Sequence, residues 1–142
     1  MSSPMALPSS NHPEVTTLWK ILGVVAFIGA ITLLRIPLRA TIATIGILHR
    51  LPLADSTAAT PAVGRLAGGC LWASTYWPGR AACLELSLAT VIAAALTSRR
   101  LHWCLGARFD PPATHAWAQT VDGTPVGEPA DLGWPWTTAL RV

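Results

Sequence analysis

RAACLELSLATVIAAALTS, residues 80–98, is the stretch around which the chain is organised. Ala, Leu, Ile and Val dominate it, and the turn signal Trp77-Pro78-Gly79 precedes it, so the pattern predicts a helix that begins at about Arg80. Cys83 then lies in the first turn, where backbone N–H groups lack helical partners and the helix dipole stabilises an anion. Such a position favours a reactive thiol, while the alternative role is that of a small apolar residue on a buried helix.

The sequence downstream of this helix predicts antiparallel strands. Leu101–Leu105 is one strand, and His115–Val121 is a second one after Phe109-Asp110-Pro111-Pro112. Asp122-Gly123 predicts a two-residue hairpin turn into a third strand, Thr124–Glu128. A helix with Cys, a strand with His and a returning strand with an acid follow the order of a papain-like or transglutaminase-like thiol site.

The register of the predicted hairpin selects the acid. If Asp122 and Gly123 are the two turn residues, Trp117 pairs with Glu128. Glu128 then shares a sheet face with His115, at roughly 7–8 Å between backbones, which long side chains can span. A one-residue bulge would reverse the faces and favour a neighbouring residue. On the simple register, Glu128 is the group that orients His115.

Four segments, taken as a set, are similar to a known family. They are CLELSL (83–88), GARFDP (106–111), THAW (114–117) and DGTPV (122–126). Together they resemble the lasso-peptide leader peptidases, the microcin-processing proteins of the transglutaminase-like superfamily. The resemblance covers the C-terminal part of the chain, and the apolar, Arg-punctuated N-terminal half is similar in character only.

The resemblance implies a cysteine peptidase that removes the leader from a ribosomally made precursor peptide, so that a separate lasso cyclase can close the ring. By position it implies that Cys83 is the nucleophile, His115 the base and Glu128 the acid behind the base. No cofactor and no metal are predicted. A chain this small spends most of its residues on its core, so leader binding is expected to be shared with a separate leader-recognition protein.

Two other functions are compatible with the same residues. The triad could transfer an acyl group to an amine instead of to water. A membrane-associated adaptor with a vestigial or structural Cys-His pair would explain the 51% hydrophobic composition without any chemistry. Geometry discriminates, because an enzyme needs the Cys83 sulfur within a few ångströms of the His115 ring, with a carboxylate behind the ring, whereas packed core between them would favour the adaptor.

Composition and charge exclude several classes. The 142 residues suffice for one compact domain with a real core. The net charge of +3 comes from scattered basic residues, so no nucleic-acid footprint is predicted. The chain has three cysteines, Cys70, Cys83 and Cys104. This odd number argues against a disulfide framework, and the spacing does not match metal ligands. Free cysteines fit a reducing cytoplasm. Cys70 and Cys104 fall in apolar stretches and are predicted core residues.

The predicted organisation is an α+β fold, with a papain/transglutaminase-like core preceded by apolar helices. Residues 1–14 are rich in Ser and Pro and are expected to be a disordered tail. Residues 15–55 form an apolar helical segment, and residues 56–142 form the cysteine protease core. Within the core, a helix that Thr60 and Pro61 help to open is expected to pack on the Cys83 helix through small residues.

The apolar N-terminal segment is compatible with more than one environment, the protein core or a membrane. Ile21–Leu34 carries no charge but is shorter than a usual membrane span. A core helix, an interfacial helix and a spanning helix are all compatible with this stretch. Membrane contact, if made, would involve residues 15–48. Arg35, Arg39 and Arg50 follow the apolar run, and this distribution would leave the rest of the chain in the cytoplasm.

Overall fold

The Cys83 stretch forms the central helix of a mixed helix and sheet structure. The computed structural model describes residues 16–57, 60–78, 83–128 and 134–142. The helices are α1 (Thr17–Leu34), α2 (Leu38–Leu48), α3 (Pro61–Ser74) and α4 (Cys83–Leu96). The strands are β1 (Ala54–Asp55), β2 (Arg99–Arg100), β3 (His102–Phe109), β4 (Pro112–Gln119), β5 (Pro125–Val126) and β6 (Thr137–Arg141).

Helix α4 is mostly apolar, with Glu85 in its first turn, and it is covered on several sides. It packs against α1, α3 and the sheet, and a helix without a polar face is typical of such a position. Its buried residues include Leu88, Ala89, Val91 and Ala94, each at most 1% exposed. The predicted start at Arg80 lies outside the described residues, and α4 ends before Ser98, which takes a positive φ of 58°.

Helices α1 and α3 approach each other through glycines. Gly23 of α1 faces Gly69 of α3, and a Cβ atom on either residue would collide with the backbone of the other helix. Gly68-Gly69 weakens the helix prediction for residues 61–74 because glycine lowers helix propensity. The structure gives the reason for Gly69, whose missing side chain allows the two backbones to touch.

The sheet has the order β5-β4-β3-β6, with antiparallel neighbours throughout. Strands β3 and β4 form a hairpin in which Gly106 pairs with His115. Both strands run to the turn at Asp110-Pro111, so β3 is longer than the predicted Leu101–Leu105. Strand β6 was not expected from the sequence, and it completes the sheet by pairing with β3.

The loop at Asp122-Gly123 is one residue longer than the predicted two-residue turn. Thr120 and Thr124 close the hairpin, with the Thr120 amide donating to the Thr124 carbonyl at 3.0 Å. The loop therefore has three residues, and Gly123 takes the left-handed conformation at φ 88° that such loops favour. Ala118 pairs with Val126 and Gln119 with Pro125. The pairing of Trp117 with Glu128 that the sequence predicted does not occur.

The glycine contact between α1 and α3 yields a stability prediction. We expect Gly23→Ala to lower the free energy of unfolding by about 1–3 kcal/mol, because the added methyl group must push two helix backbones apart. Gly46→Ala in α2 is the matched control, since a Cβ there meets open space. The control should raise stability by about 0.5–1 kcal/mol through helix propensity. Urea denaturation followed by circular dichroism measures both, and equal stabilisation by the two changes would contradict the contact.

Candidate active site

A cavity of about 480 Å³ opens between α3, α4 and the sheet. The three residues predicted for the site, Cys83, His115 and Glu128, all line it. They arrive from separate elements: the first residue of α4, the middle of β4, and the chain just beyond β5. The volume lies in the range of ordinary ligand sites. Cys83 and His115 therefore share one cavity and are not separated by packed core.

Cys83 is the first residue of α4, at the positive end of the helix dipole, which stabilises an anion. Its side chain is half-buried at the wall of the cavity. One turn further along, Ser87 ties this end of the helix to the sheet. The Trp103 indole Nε1 donates to Ser87 Oγ at 3.0 Å, and Ser87 Oγ donates to the Leu84 carbonyl at 3.1 Å. These bonds fix the rotation of α4 near the thiol.

His115 is held by Glu128. The distance from His115 Nε2 to Glu128 Oε1 is 2.9 Å, and both side chains are mostly buried, at 17% and 25% exposure. An ionised carboxylate only accepts hydrogen bonds, so the imidazole donates through Nε2–H and its basic nitrogen is Nδ1. The structure thus brings together the histidine and the acid that the sequence paired, and their catalytic roles stay a prediction.

Glu128 reaches His115 by a different route from the one predicted. Strand β5 ends at Val126, and Gly127 then takes a positive φ of 75°. The alternation of side chains between sheet faces stops at such a residue. Glu128 therefore turns towards His115 although the observed register, if continued, would have placed it on the other face.

Aromatic rings surround the imidazole. The Trp136 ring lies 4.8 Å from the His115 ring between centroids, and the Trp117 ring lies 5.9 Å away, tilted by 22°. Trp134 is 6.4 Å from His115 and contacts Trp117 edge to face at 5.1 Å. Trp134 is 41% exposed, and the rings of Trp134 and Trp136 both lie beside the candidate base.

Arg108 and Gly106 support this aromatic arrangement. The Arg108 guanidinium lies 4.9 Å from the centroid of Trp136, within cation–π range. A Cβ on Gly106 would come within 2.8 Å of the Trp117 ring, so glycine leaves the space that this ring fills. Gly106 pairs with His115 in the sheet. Because Gly106 has no side chain, the Trp117 ring has room to lie beside the imidazole.

The floor of the cavity is a face of small residues on α3. Gly64, Ala67 and Gly68, followed by Leu71, recur at helical spacing and line the cavity. Helix α3 contacts the Cys83 helix, as expected, but these small residues line the open space of the cavity. The small-residue pattern was visible in the sequence, but only the fold shows which side of α3 faces the cavity.

The other two cysteines are buried, as expected of core residues. Both Cys70 and Cys104 have no exposed surface. Burial raises the pKa of the Cys70 thiol to about 12, against an opposing hydrogen bond with Thr90. Burial also raises the pKa of Cys104, against the opposing charge of Arg141. At neutral pH both are protonated thiols with little nucleophilic character.

The histidines at positions 49 and 102 lie together outside this cavity. Their rings meet edge to face at 5.6 Å. His49 Nε2 lies 3.1 Å from the Leu101 carbonyl, and His102 Nδ1 lies 3.3 Å from the Val142 carbonyl oxygen. Burial is the main cause that lowers the pKa of each. His102 does not line the cavity of Cys83 and His115, so its position gives no support to a role as a second base there.

Comparison with known proteins places the chain in a family. Residues 30–138 match the transglutaminase-like superfamily, and the chain belongs to that superfamily. It includes cysteine peptidases and acyltransferases. The predicted α+β fold with a transglutaminase-like core is confirmed. No curated protein and no solved structure gives a significant match.

The different environments of the three thiols predict selective alkylation. We expect iodoacetamide near neutral pH to modify Cys83 in the folded protein, because that thiol lines an open cavity, and to leave Cys70 and Cys104 unmodified. Peptide mass mapping after a short exposure measures the modified fraction at each site. Urea-denatured protein is the control in which all three should react. Modification of Cys70 as fast as Cys83 in the folded state would contradict the described burial.

Proposed function

We propose that this protein is a cysteine peptidase that removes the leader from a ribosomally made precursor peptide during lasso-peptide maturation. The observation that carries the proposal is the convergence of Cys83, His115 and Glu128 on one cavity, with His115 bonded to Glu128 at 2.9 Å. Membership of the transglutaminase-like superfamily supports thiol chemistry at such a site. The shared cavity also favours an enzyme over an adaptor with a structural Cys-His pair.

The proposed reaction begins with proton transfer from the Cys83 thiol to His115 Nδ1, the nitrogen not bonded to Glu128. The thiolate attacks the carbonyl carbon of the scissile peptide bond and forms a tetrahedral intermediate. A natural donor to its oxyanion is the backbone N–H of Cys83, at the end of α4. Glu128 keeps the imidazole in the required tautomer and stabilises the imidazolium that forms.

Collapse of the intermediate breaks the C–N bond, and His115 Nδ1–H protonates the leaving amine. The leader is left as a thioester on Cys83. His115 then takes a proton from water, hydroxide adds to the thioester carbonyl, and the C–S bond breaks to release the leader acid. Protonation of the departing thiolate by His115 restores the starting state.

The substrate is a peptide, and its capture is proposed to be shared. A separate leader-recognition protein would present the precursor, and a lasso cyclase would use the released core peptide. These partners follow from the resemblance of the four C-terminal motifs. The cytoplasm, where ribosomal precursors are made, is the proposed site of the reaction.

The first test is cleavage of a lasso precursor peptide by the full-length protein with its recognition partner, followed by mass spectrometry. Cys83→Ala should lower the cleavage rate by about a thousandfold or more, since it removes the nucleophile. Cys70→Ala is the matched control, because it removes a thiol that lies away from the cavity, and it should cleave like the wild type. Equal cleavage by the wild type and Cys83→Ala would sink the proposed nucleophile.

The same assay separates the alternatives. Cleavage by folded wild type in the presence of an added primary amine distinguishes hydrolysis, which gives the leader acid, from acyl transfer, which gives the leader amide. No product from folded protein with its partner would favour the adaptor. Substitutions of Glu128 provide a graded test. Glu128→Gln keeps a hydrogen-bond acceptor for His115, whereas Glu128→Ala removes it. We expect the rate to fall from the wild type to Glu128→Gln and further to Glu128→Ala, with a total loss of about tenfold or more.

Trp136 is proposed as a positioning residue, since its ring packs on His115 at 4.8 Å between centroids. We expect Trp136→Ala to lower kcat by about tenfold with little change in KM, because the imidazole loses the surface that restricts its orientation. Trp136→Phe, which keeps an aromatic ring, should recover most of the rate. A change in KM alone, with kcat retained, would instead place Trp136 in substrate binding.

A further inference from the structure

The outer surface of α1 is an apolar face without a described partner in the chain. Leu18, Ile21, Val25 and Ile28 recur at intervals of three and four residues, and each is more than half exposed. The opposite side of α1 carries its buried residues, which pack on α3 and α4. A contiguous exposed apolar surface of this kind marks an interaction site more often than an ordinary solvated surface.

Charge around this face indicates the kind of surface it meets. Residues 16–54 contain Lys20, Arg35, Arg39 and Arg50 and no Asp or Glu. The three arginines are exposed, at or beyond the C-terminal end of α1. Helix α1 itself carries Lys20 and no Asp or Glu, and Arg35 follows at its C-terminal end. Cations near both ends of the apolar face complement the headgroups of an anionic bilayer, and each cation near such a surface contributes about 1 kcal/mol of attraction.

Lys20 and Trp72 form a pair typical of a membrane interface. Lys20 Nζ lies 5.0 Å from the centroid of the Trp72 ring. Both residues line a shallow groove of about 250 Å³ between α1 and α3, together with Ile21 and Val25. Tryptophan and lysine each combine an apolar body with a polar tip, and they suit the boundary between headgroups and acyl chains. Trp72 is only partly buried, so its ring is accessible at this surface.

Helix α1 is long and apolar enough to cross a membrane by length and composition, a test that core helices and signal sequences also pass. Its packing argues against a span in the folded protein. Gly23 contacts the backbone at Gly69, and Ala26, Phe27 and Ala30 are buried in the core. A spanning helix would lose these contacts, whereas a helix lying on the surface keeps them and buries only its outer side.

We infer that the outer face of α1, formed by Leu18, Ile21, Val25 and Ile28, docks the folded domain on the surface of an anionic lipid bilayer. The helix lies in the plane of the interface with its apolar side chains among the headgroups and upper acyl chains. Lys20 and Arg35, near the two ends of α1, add electrostatic attraction. This inference does not rest on the proposed peptidase activity.

The test is sedimentation of the full-length protein with vesicles of equal parts phosphatidylglycerol and phosphatidylcholine, and with vesicles of phosphatidylcholine alone. We expect the anionic vesicles to bind at least about fivefold more tightly, with the difference reduced by added salt. Ile21→Glu and Val25→Glu should each weaken binding about tenfold, since an apolar anchor becomes a repelled charge. Both sites are exposed, and circular dichroism checks the fold.

Phe109→Glu is the matched control, because it also replaces an exposed apolar residue by Glu, at the end of β3. It should bind like the wild type, and an equal loss in this variant would overturn the assignment to α1. Absence of binding by folded wild type would also overturn it. Retention of the protein on the vesicles after an alkaline carbonate wash would show instead that α1 spans the bilayer. A lipid-free dimer abolished by Ile21→Glu, without vesicle binding, would make the face an interface between copies.

Discussion

Burial of α4 on several sides is the constraint on which the structure depends. Leu88, Val91 and the alanines around them contact α1, α3 and the sheet at once. Each buried Leu or Val contributes about 1.5–3 kcal/mol of hydrophobic stabilisation. Because the same helix faces all its neighbours, its rotation and axial position are fixed together. The thiol at its first residue inherits that fixed position.

The candidate site combines a rigid thiol with a histidine that is restrained from several directions. The Trp103–Ser87 bond anchors α4 one turn from Cys83. On the sheet, Glu128 holds one edge of the His115 imidazole while Trp136 and Trp117 restrict its plane. A reaction that moves protons over short distances benefits from such restraint, since misplacement by one ångström costs much of the rate. The supporting residues therefore belong to the proposed chemistry as positioning elements.

The sequence predicted the features that depend on local patterns. The α1 and α4 stretches are long and apolar, and the hairpins are marked by Asp110-Pro111 and Asp122-Gly123, so the order of helices and strands could be anticipated. The register of the second hairpin was wrong because Asp-Gly is compatible with loops of two or three residues. Glu128 was still the acid beside His115, since the positive φ of Gly127 offsets the shifted register.

Features that depend on distant contacts could not be predicted in the same way. Strand β6 exists because it pairs with β3, and nothing local to Thr137–Arg141 distinguishes it from a tail. That pairing brings Trp136 and Trp134 to His115. In the same way, the exposed face of α1 is defined only once the other face is seen packed on α3 and α4.

The small residues of α3 set the size of the cavity, and they lie on a different element from the candidate catalytic residues. A side chain added at Gly64 would project into free space and not into packed neighbours, and Gly64 lines the same cavity as Cys83. Single substitutions along this face would narrow or reshape the space for a bound side chain without moving the thiol or the imidazole. Helix α3 thus sets the shape of the cavity independently of Cys83 and His115, so related chains could differ in what the cavity accommodates.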